Sequence, residues 1–182
     1  VGNTFYTKEE NSLCVGKEKT FAILDMIFDE LVDLFPSSYI HIGGDECYKG
    51  FWAKCPDCRA RMSSKQLQNV EELQSYFVKR VASHIQSKGK HVIGWDEILE
   101  GGLAPSATVM SWRGEKGGIT AATMGHDVVM TPAKWMYIDA GLGAVEVEPV
   151  AIDVSRMLDA VYEYDPVSEQ IPQEVRHHIL GA

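Results

Sequence analysis

Four short, mostly apolar segments alternate with segments of helical periodicity, and this alternation limits the possible folds more than any other feature. The apolar segments cover residues 39–44, 91–95, 108–112 and 127–130. Buried strands separated by helices indicate a parallel sheet that is covered on both faces. The sequence therefore predicts an α/β protein, built either as a doubly wound sheet or as a (β/α)8 barrel.

Apolar residues spaced three and four positions apart predict the two longest helices. The first runs from about residue 21 to 35, with Thr20 as its cap and Pro36 at its end. The second covers about 69–88 and ends at Gly89. Shorter helices are predicted within 50–63 and at 115–125, 152–162 and 172–180, and residues 1–19 are predicted to be loop.

Each predicted strand is followed by acidic, aromatic or other polar residues. These are Asp45 and Glu46, then Trp95, Asp96 and Glu97, then Trp112 and Arg113, and finally Trp135, Tyr137 and Asp139. Barrel enzymes place their active sites at the rim where the strands end, so this pattern favours the barrel. A whole barrel takes about 250 residues. We therefore expect a segment of a larger catalytic domain, lacking the first strands and the last one.

The end of the first strand is the strongest candidate active site. Gly43 and Gly44 allow a sharp turn and a close approach of a ligand to the backbone. Asp45 and Glu46 follow directly. Two carboxyl groups held in a cleft can have their pKa values driven apart, which leaves one protonated and one ionised near neutral pH. The turn therefore supplies the proton donor and the proton acceptor that acid/base catalysis needs at a minimum.

The segment His41-Ile42-Gly43-Gly44-Asp45-Glu46 resembles the H-x-G-G-D-E signature of glycoside hydrolase family 20, the β-N-acetylhexosaminidases. Later motifs are similar to those of the family and occur in the same order. They are Gly94-Trp95-Asp96-Glu97, Val109-Met110-Ser111-Trp112, Met130-Thr131-Pro132 with Tyr137-Ile138-Asp139, and Ile179-Leu180-Gly181-Ala182. The resemblance implies the fourth to seventh strands of a (β/α)8 barrel, followed by the beginning of the eighth.

The resemblance implies hydrolysis of terminal β-linked N-acetylglucosamine or N-acetylgalactosamine with retained configuration. Family members use the 2-acetamido oxygen of the substrate as the nucleophile, an exception to the usual scheme of two carboxylates across the sugar. By this resemblance Glu46 is the general acid and base, a role that needs a raised pKa. Asp45 would hold the acetamido N–H and stabilise the oxazolinium cation. No cofactor and no catalytic metal are implied.

The same resemblance assigns substrate-binding roles to six further residues. Tyr137 would donate its hydroxyl to the acetamido oxygen, and Asp139 would accept hydrogen bonds from sugar hydroxyls. Trp95 and Trp112 would form the pocket for the acetamide methyl group, because broad apolar faces exclude water. Trp135 would lie near the aglycone, and His41 would position the acids from within its strand.

The four cysteines are Cys14, Cys47, Cys55 and Cys58. Cys55-Pro56-Asp57-Cys58 has the spacing of a zinc knuckle or a redox pair, but a structural zinc site normally needs a second such pair. Only folding could bring Cys14 or Cys47 to that position. From the incomplete motif we favour free thiols or a disulfide over a metal site.

The amino-acid composition limits the classes of molecule that the protein can bind. Seventeen basic and 26 acidic residues give a net charge of -9, which argues against nucleic acid or an anionic membrane as a partner. The sequence contains no run of about 20 apolar residues that would span a bilayer. N-acetylhexosamine-containing glycans are the expected partners. The family resemblance suggests a periplasmic, secreted or lysosomal location.

Several alternatives stay open at this stage. The chain could belong to an amino-sugar-binding protein without turnover, or be an inactive fragment of an enzyme. Asp96 and Glu97 are a rival acidic pair, which we interpret as support for the site. The basic residues along 54–65 and the pair His177-His178 are predicted to be solvated helix surface. Open barrel edges would favour self-association.

Overall fold

The computed structural model describes residues 12–138 and 158–182, and it divides into two compact units within residues 1–107 and 108–182. Both units consist of parallel strands and helices. The prediction of an α/β protein with parallel strands is therefore confirmed. The described residues contain five strands: the four predicted from the apolar segments, and Ile179–Gly181, which the family resemblance implied as the beginning of a further strand.

The first unit is built on two parallel strands and two long helices. Strand β1, Tyr39–His41, pairs with β2, His91–Trp95, so that Ile40 lies opposite Val92. Helix α1 covers Glu18–Leu34. Between the strands lie the short helices α2, Gly50–Lys54, and α3, Pro56–Ser64, and the long helix α4, Val70–Ser87. Helix α4 packs against both α1 and β2 and buries its own apolar side, whereas α1 buries Phe21.

The predicted cap of the first helix is wrong. Helix α1 begins at Glu18, with Lys17 as its N-cap residue. The hydroxyl of Thr20 instead donates to the carbonyl oxygen of Cys14 at 2.7 Å. The cap of α4 follows the usual rule, since the side chain of Asn69 accepts from the amide of Glu72 at 2.8 Å. The Thr20 hydroxyl is thus used to hold the segment before α1, and the cap at Asn69 was not predicted.

An apolar cluster in the first unit holds the segment before α1 against the helices that follow β1. It contains Val15, Phe21, Trp52, Cys55, Cys58 and Leu73, all of them buried. The indole Nε1 of Trp52 donates to the carbonyl oxygen of Leu13 at 2.9 Å. The cluster therefore fixes α2 and α3, which carry the chain from the end of β1 to α4.

The second unit contains three parallel strands in sequence order. They are β3, Thr108–Ser111, β4, Val128–Met130, and β5, Ile179–Gly181. Helix α5, Glu115–Thr123, connects β3 to β4 and packs on both. Two short helices follow, α6, Ala133–Met136, and α7, Leu158–Tyr162. The rest of the helix predicted at 152–162 lies outside the described residues.

The helix predicted at 172–180 is wrong in type and length. A 3₁₀ helix covers Gln173–His178, and the chain then becomes β5. His177 is exposed as predicted, but His178 is only partly exposed, and its Nδ1 lies 3.1 Å from a carboxylate oxygen of Asp127, the residue before β4. Among the described residues, no helix is both long enough and apolar enough to cross a membrane.

Candidate active site

The turn after β1 carries both candidate carboxylates. Gly43 and Gly44 have φ angles of 69° and 95°, a region that glycine enters without steric cost. Glu46 has a φ angle of 46°, which is uncommon for a residue with a side chain and is concentrated at functional sites. Asp45 and Glu46 are both exposed. The backbone therefore turns sharply after β1 and leaves two adjacent carboxylates accessible to a ligand.

A buried isoleucine explains why this turn and the neighbouring strand need glycines. Ile98 is fully buried in the 3₁₀ helix Asp96–Leu99, directly after β2. A Cβ atom on Gly44 would lie 2.7 Å from its Cγ2, and a Cβ atom on Gly94 would lie 3.0 Å from the same atom. No pattern in the sequence indicates this role of Ile98. Its contacts hold the turn that carries the acids against the end of β2.

His41 bonds to the same turn through its imidazole. The amide of Gly43 donates to Nδ1 of His41 at 3.0 Å, and the ring meets that of Trp95 edge-on at 4.8 Å between centroids. Although the residue as a whole is exposed, loss of hydration around the ring lowers the pKa of His41, and the nearby Asp45 carboxylate opposes this shift. Because Nδ1 accepts this hydrogen bond, the imidazole of His41 must be neutral. These contacts fit the predicted positioning role of His41 and bring Trp95 to the end of β1.

The rival acids Asp96 and Glu97 lie in a different environment. Both are buried, with exposures of 3% and 7%. The side-chain amide of Gln74 on α4 donates to the carbonyl oxygen of Glu97 at 2.8 Å. A buried carboxylate is poorly placed to reach a sugar that binds from solvent. The contrast with the exposed Asp45 and Glu46 favours the interpretation of this second pair as support.

An ion pair joins the loops that follow β1 and β2. Lys49 donates from Nζ to Oε2 of Glu100 at 2.5 Å, and the two side chains are 18% and 32% exposed. The sequence does not predict this pair, because the two residues are 51 positions apart and neither carries a local signal. Since Lys49 follows Glu46 by three residues, the pair restrains the loop that begins at the candidate acid.

The second unit brings together two of the predicted substrate-binding residues. The rings of Trp112 and Tyr137 are stacked, with centroids 6.2 Å apart and an interplanar angle of 17°. Trp135 stacks on Tyr164 at 6.5 Å, and Lys134 places its Nζ 4.3 Å from the centroid of the Trp135 ring. Asp139 lies outside the described residues.

A cavity of about 280 Å³ in the first unit does not coincide with the candidate site. It lies between α1, α4 and the end of β1, and its lining is mostly apolar, with Leu24, Phe28, Phe77 and Val81 among its residues. Asp45 borders it, but Glu46 and Trp95 are not part of its lining. Because Glu46 does not line this cavity, we do not assign it to the substrate.

The sequence matches the family described as glycosyl hydrolase family 20, catalytic domain, over residues 2–182. The chain belongs to this family. Membership confirms the resemblance that the Gly-Gly-Asp-Glu motif suggested. It also confirms that the parallel strands and helices are part of a (β/α)8 barrel, since solved family 20 enzymes share this arrangement.

Three family 20 relatives show the extent of the similarity. The beta-hexosaminidase of Porphyromonas gingivalis is 50% identical over 175 residues, which is 96% of this chain and 22% of that protein. The beta-hexosaminidase of Vibrio furnissii is 32% identical over 94% of this chain and 29% of its own length. The structure of the Vibrio harveyi exo β-N-acetylglucosaminidase in complex with N-acetylglucosamine has a TM-score of 0.83 at 29% identity, covering 93% of this chain and 27% of that one. The chain thus spans less than a third of these relatives.

Proposed function

We propose that this chain forms the part of a β-N-acetylhexosaminidase catalytic domain that carries its acid/base residue. The protein would remove terminal β-linked N-acetylhexosamine from the non-reducing ends of glycans. Family membership and the names of the relatives support this reaction class. One observation carries the assignment of residues. Asp45 and Glu46 are exposed, and two glycines with positive φ angles connect them to the end of a parallel strand. Glu46 itself has a left-handed backbone conformation.

Glu46 is the proposed general acid and base. In the first step its carboxyl group would donate a proton to the glycosidic oxygen as the bond to the sugar breaks. The 2-acetamido oxygen of the substrate would attack the anomeric carbon at the same time, forming an oxazolinium ion with no bond to the protein. In the second step the Glu46 carboxylate would take a proton from water, which opens that ion with net retention.

Asp45 is the proposed partner of the acetamido N–H. A carboxylate there orients the acetamide for attack and stabilises the positive charge that develops on the oxazolinium ring. Tyr137 would donate to the acetamido oxygen, and its stacking on Trp112 at 6.2 Å holds the phenol ring in one plane. Trp95 and Trp112 would enclose the acetamide methyl group, with Asp139 and Trp135 nearer to the sugar hydroxyls and the aglycone.

The first test replaces Glu46 with Gln in the intact protein. We expect kcat/KM for an aryl N-acetyl-β-glucosaminide to fall by about 10²–10⁴-fold, because a positioned acid/base group contributes about that much. Glu30→Gln on the exposed side of α1 is the matched control and should leave the rate unchanged. Equal rates for wild type and Glu46→Gln would remove Glu46 from the mechanism.

The choice of substrate separates a general acid from a residue that only supports the fold. A leaving group that is already a weak base needs little protonation, so the first-step defect of Glu46→Gln should shrink with a dinitrophenyl glycoside. A misfolded variant would lose activity equally on all substrates. The matching glucoside without the acetamide tests the nucleophile, and we expect its turnover to be far slower with the wild type.

The same measurements address the alternative of a binding protein. Tight binding of N-acetylglucosamine without turnover of any aryl substrate would favour an amino-sugar-binding role over hydrolysis. The intact Asp45, Glu46 and Tyr137 favour the enzyme, because binding alone does not require a proton donor at the glycosidic bond.

A further inference from the structure

Three of the four cysteines converge in the first unit, away from the candidate active site. The sulfur atom of Cys14 lies 3.8 Å from that of Cys55 and 3.8 Å from that of Cys58. All three sulfur atoms lie within 4.8 Å of one another. The thiols are free, Cys55 and Cys58 are buried, and Cys14 is partly exposed. Folding therefore completes the C-x-x-C motif with a third thiol that lies 41 residues before Cys55.

The two distances from the sulfur atom of Cys14 match those of a tetrahedral metal site. With zinc–sulfur bonds of about 2.3 Å, two thiolates on a tetrahedral ion lie about 3.8 Å apart. A disulfide requires about 2.05 Å, and it would use two of the three thiols and leave a third buried beside it. An iron–sulfur cluster spreads its cysteine ligands further apart, because several iron atoms lie between them. A single metal ion therefore fits the space between the three sulfur atoms.

The loop that carries Cys14 is held tightly against the C-x-x-C turn. A Cβ atom on Gly16 would lie 2.2 Å from the carbonyl carbon of Asp57 and 2.5 Å from the backbone nitrogen of Cys58. The two backbone segments can approach this closely only because residue 16 is a glycine. The three sulfur atoms are therefore brought together by main-chain packing rather than by side-chain rotation alone.

Side chains from α2 and α3 fix the same loop. Arg61 donates from Nη2 to the carbonyl oxygen of Gly16 at 3.1 Å and pairs with Glu18 at 2.6 Å. The indole of Trp52 donates to the carbonyl oxygen of Leu13. The charged stretch 54–65 is thus not simply solvated surface, since Arg61 is mostly buried. Binding groups that are fixed before the ion arrives reduce the entropic cost of binding.

We propose that Cys14, Cys55 and Cys58 bind one zinc ion. Each thiol loses its proton to solvent when the ion binds, so that three thiolates coordinate it. The partial exposure of Cys14 leaves a side of the site open to solvent, and water takes the fourth position. The ion joins the segment before α1 to the start of α3 and so stabilises the part of the fold that follows the catalytic turn.

Cys47 provides an internal comparison. It follows Glu46 directly, packs at the edge of the same apolar cluster, and its sulfur atom lies 3.5 Å from Oγ of Ser12. It does not belong to the group of three converging thiols. Cys47→Ser therefore removes a cysteine from the same unit without removing a proposed ligand.

The test begins with the intact wild-type protein, purified under reducing conditions and without chelators. Elemental analysis should find about one zinc ion per chain. Metal-free protein titrated with Co²⁺ should develop the thiolate-to-cobalt charge-transfer band and the intense visible bands of a tetrahedral site. A folded wild-type protein with less than about a tenth of an equivalent of zinc and no cobalt band would overturn the proposal.

Single serine substitutions locate the site. Cys14→Ser, Cys55→Ser and Cys58→Ser should each reduce the zinc content by about tenfold or more, whereas Cys47→Ser should retain it. Loss of zinc in Cys47→Ser as well would overturn the three-cysteine assignment. A mass lower by two hydrogens in the freshly isolated wild type would also overturn it, because a disulfide would then occupy the site.

Removal of zinc from the wild type gives a readout that does not depend on any variant folding. A chelator should lower Tm by several degrees, and added Zn²⁺ should restore it, because an ion that binds only the folded state stabilises it. An unchanged Tm would contradict the structural role. Activity on the aryl substrate is measured in parallel, so that loss of the proposed reaction is distinguishable from loss of the metal.

Discussion

The imidazole of His41 shows how one side chain can link the candidate site to pH. Its Nδ1 accepts from the amide of Gly43, and a nitrogen that accepts a hydrogen bond cannot also carry a proton. Loss of hydration lowers the pKa of His41 in the folded state, with the Asp45 carboxylate acting in the opposite direction. The unfolded chain therefore takes up a proton at this position at a higher pH than the folded chain does.

The stability of the first unit should accordingly fall as the pH falls below about 6.5, the ordinary value for histidine. The contribution from His41 is fully present above that pH and is lost as the unfolded imidazole becomes protonated. His41→Asn keeps an acceptor near the Gly43 amide but does not titrate, so urea unfolding between pH 5 and 8, roughly the range in which histidine titrates, should show a flatter dependence.

His91→Asn on the neighbouring strand is the control for this experiment, because it removes an imidazole from the same sheet and leaves the Gly43 contact in place. A His41→Asn protein whose stability changes with pH as steeply as the wild type would show that the Gly43 contact does not link folding to protonation.

At the scale of elements, the turn between β1 and α2 depends on Gly44. Alanine there would have a φ angle of 95° and a Cβ atom 2.7 Å from Cγ2 of Ile98. We expect Gly44→Ala to lower the free energy of unfolding by about 2–6 kcal/mol, since the left-handed conformation and the overpacking each cost about 1–3 kcal/mol. Denaturant unfolding measures the change, and kcat of the intact enzyme should fall with it.

Gly89 is the matched control for that substitution. It also has a positive φ angle, 76°, but a Cβ atom there would meet no other atom within 4 Å. Gly89→Ala should therefore cost only the conformational part, about 1 kcal/mol. Equal losses in the two variants would show that Ile98 moves aside freely and does not hold the turn.

Elements with a long apolar period were predictable from the sequence, and contacts between distant segments were not. The stripe Val70, Leu73, Phe77 and Val81 predicts α4 because one face of a helix must be buried. In contrast, the 3₁₀ helix and β5 after Pro172 carry too few residues for a period to show. Strand β5 is stabilised by pairing with β4, and only the family resemblance of Ile179-Leu180-Gly181-Ala182 indicated it.

The same difference between local patterns and long-range contacts applies to the candidate site. The exposed acids were predictable, because a strand that ends in Gly-Gly-Asp-Glu is a local signal. The pair Lys49 and Glu100 and the approach of Cys14 to the C-x-x-C turn were not, because 51 and 41 residues separate the partners. Only the close packing at Gly16 brings the third thiol to the other two.

At the scale of the whole molecule, the outer side of α1 carries exposed apolar side chains. Ile23, Met26 and Ile27 are 47%, 72% and 47% exposed, and Phe35 and Tyr39 near β1 are exposed as well. Within the first unit β1 pairs with β2 on one side. In the part of the chain that the structure describes, no second strand of the first unit pairs with β1. An apolar helix face beside such an edge is a surface that associates with other chains.

We therefore expect the 182-residue chain on its own to self-associate, with sedimentation coefficients that rise with concentration. Met26→Glu places a charge at the centre of this surface and should shift the chain towards the monomer by about tenfold in dissociation constant, or about 1.4 kcal/mol. Met124→Glu, at an exposed methionine of the second unit, introduces the same charge elsewhere and should leave the association unchanged. Equal effects of the two variants would indicate that net charge, and not the α1 surface, controls association.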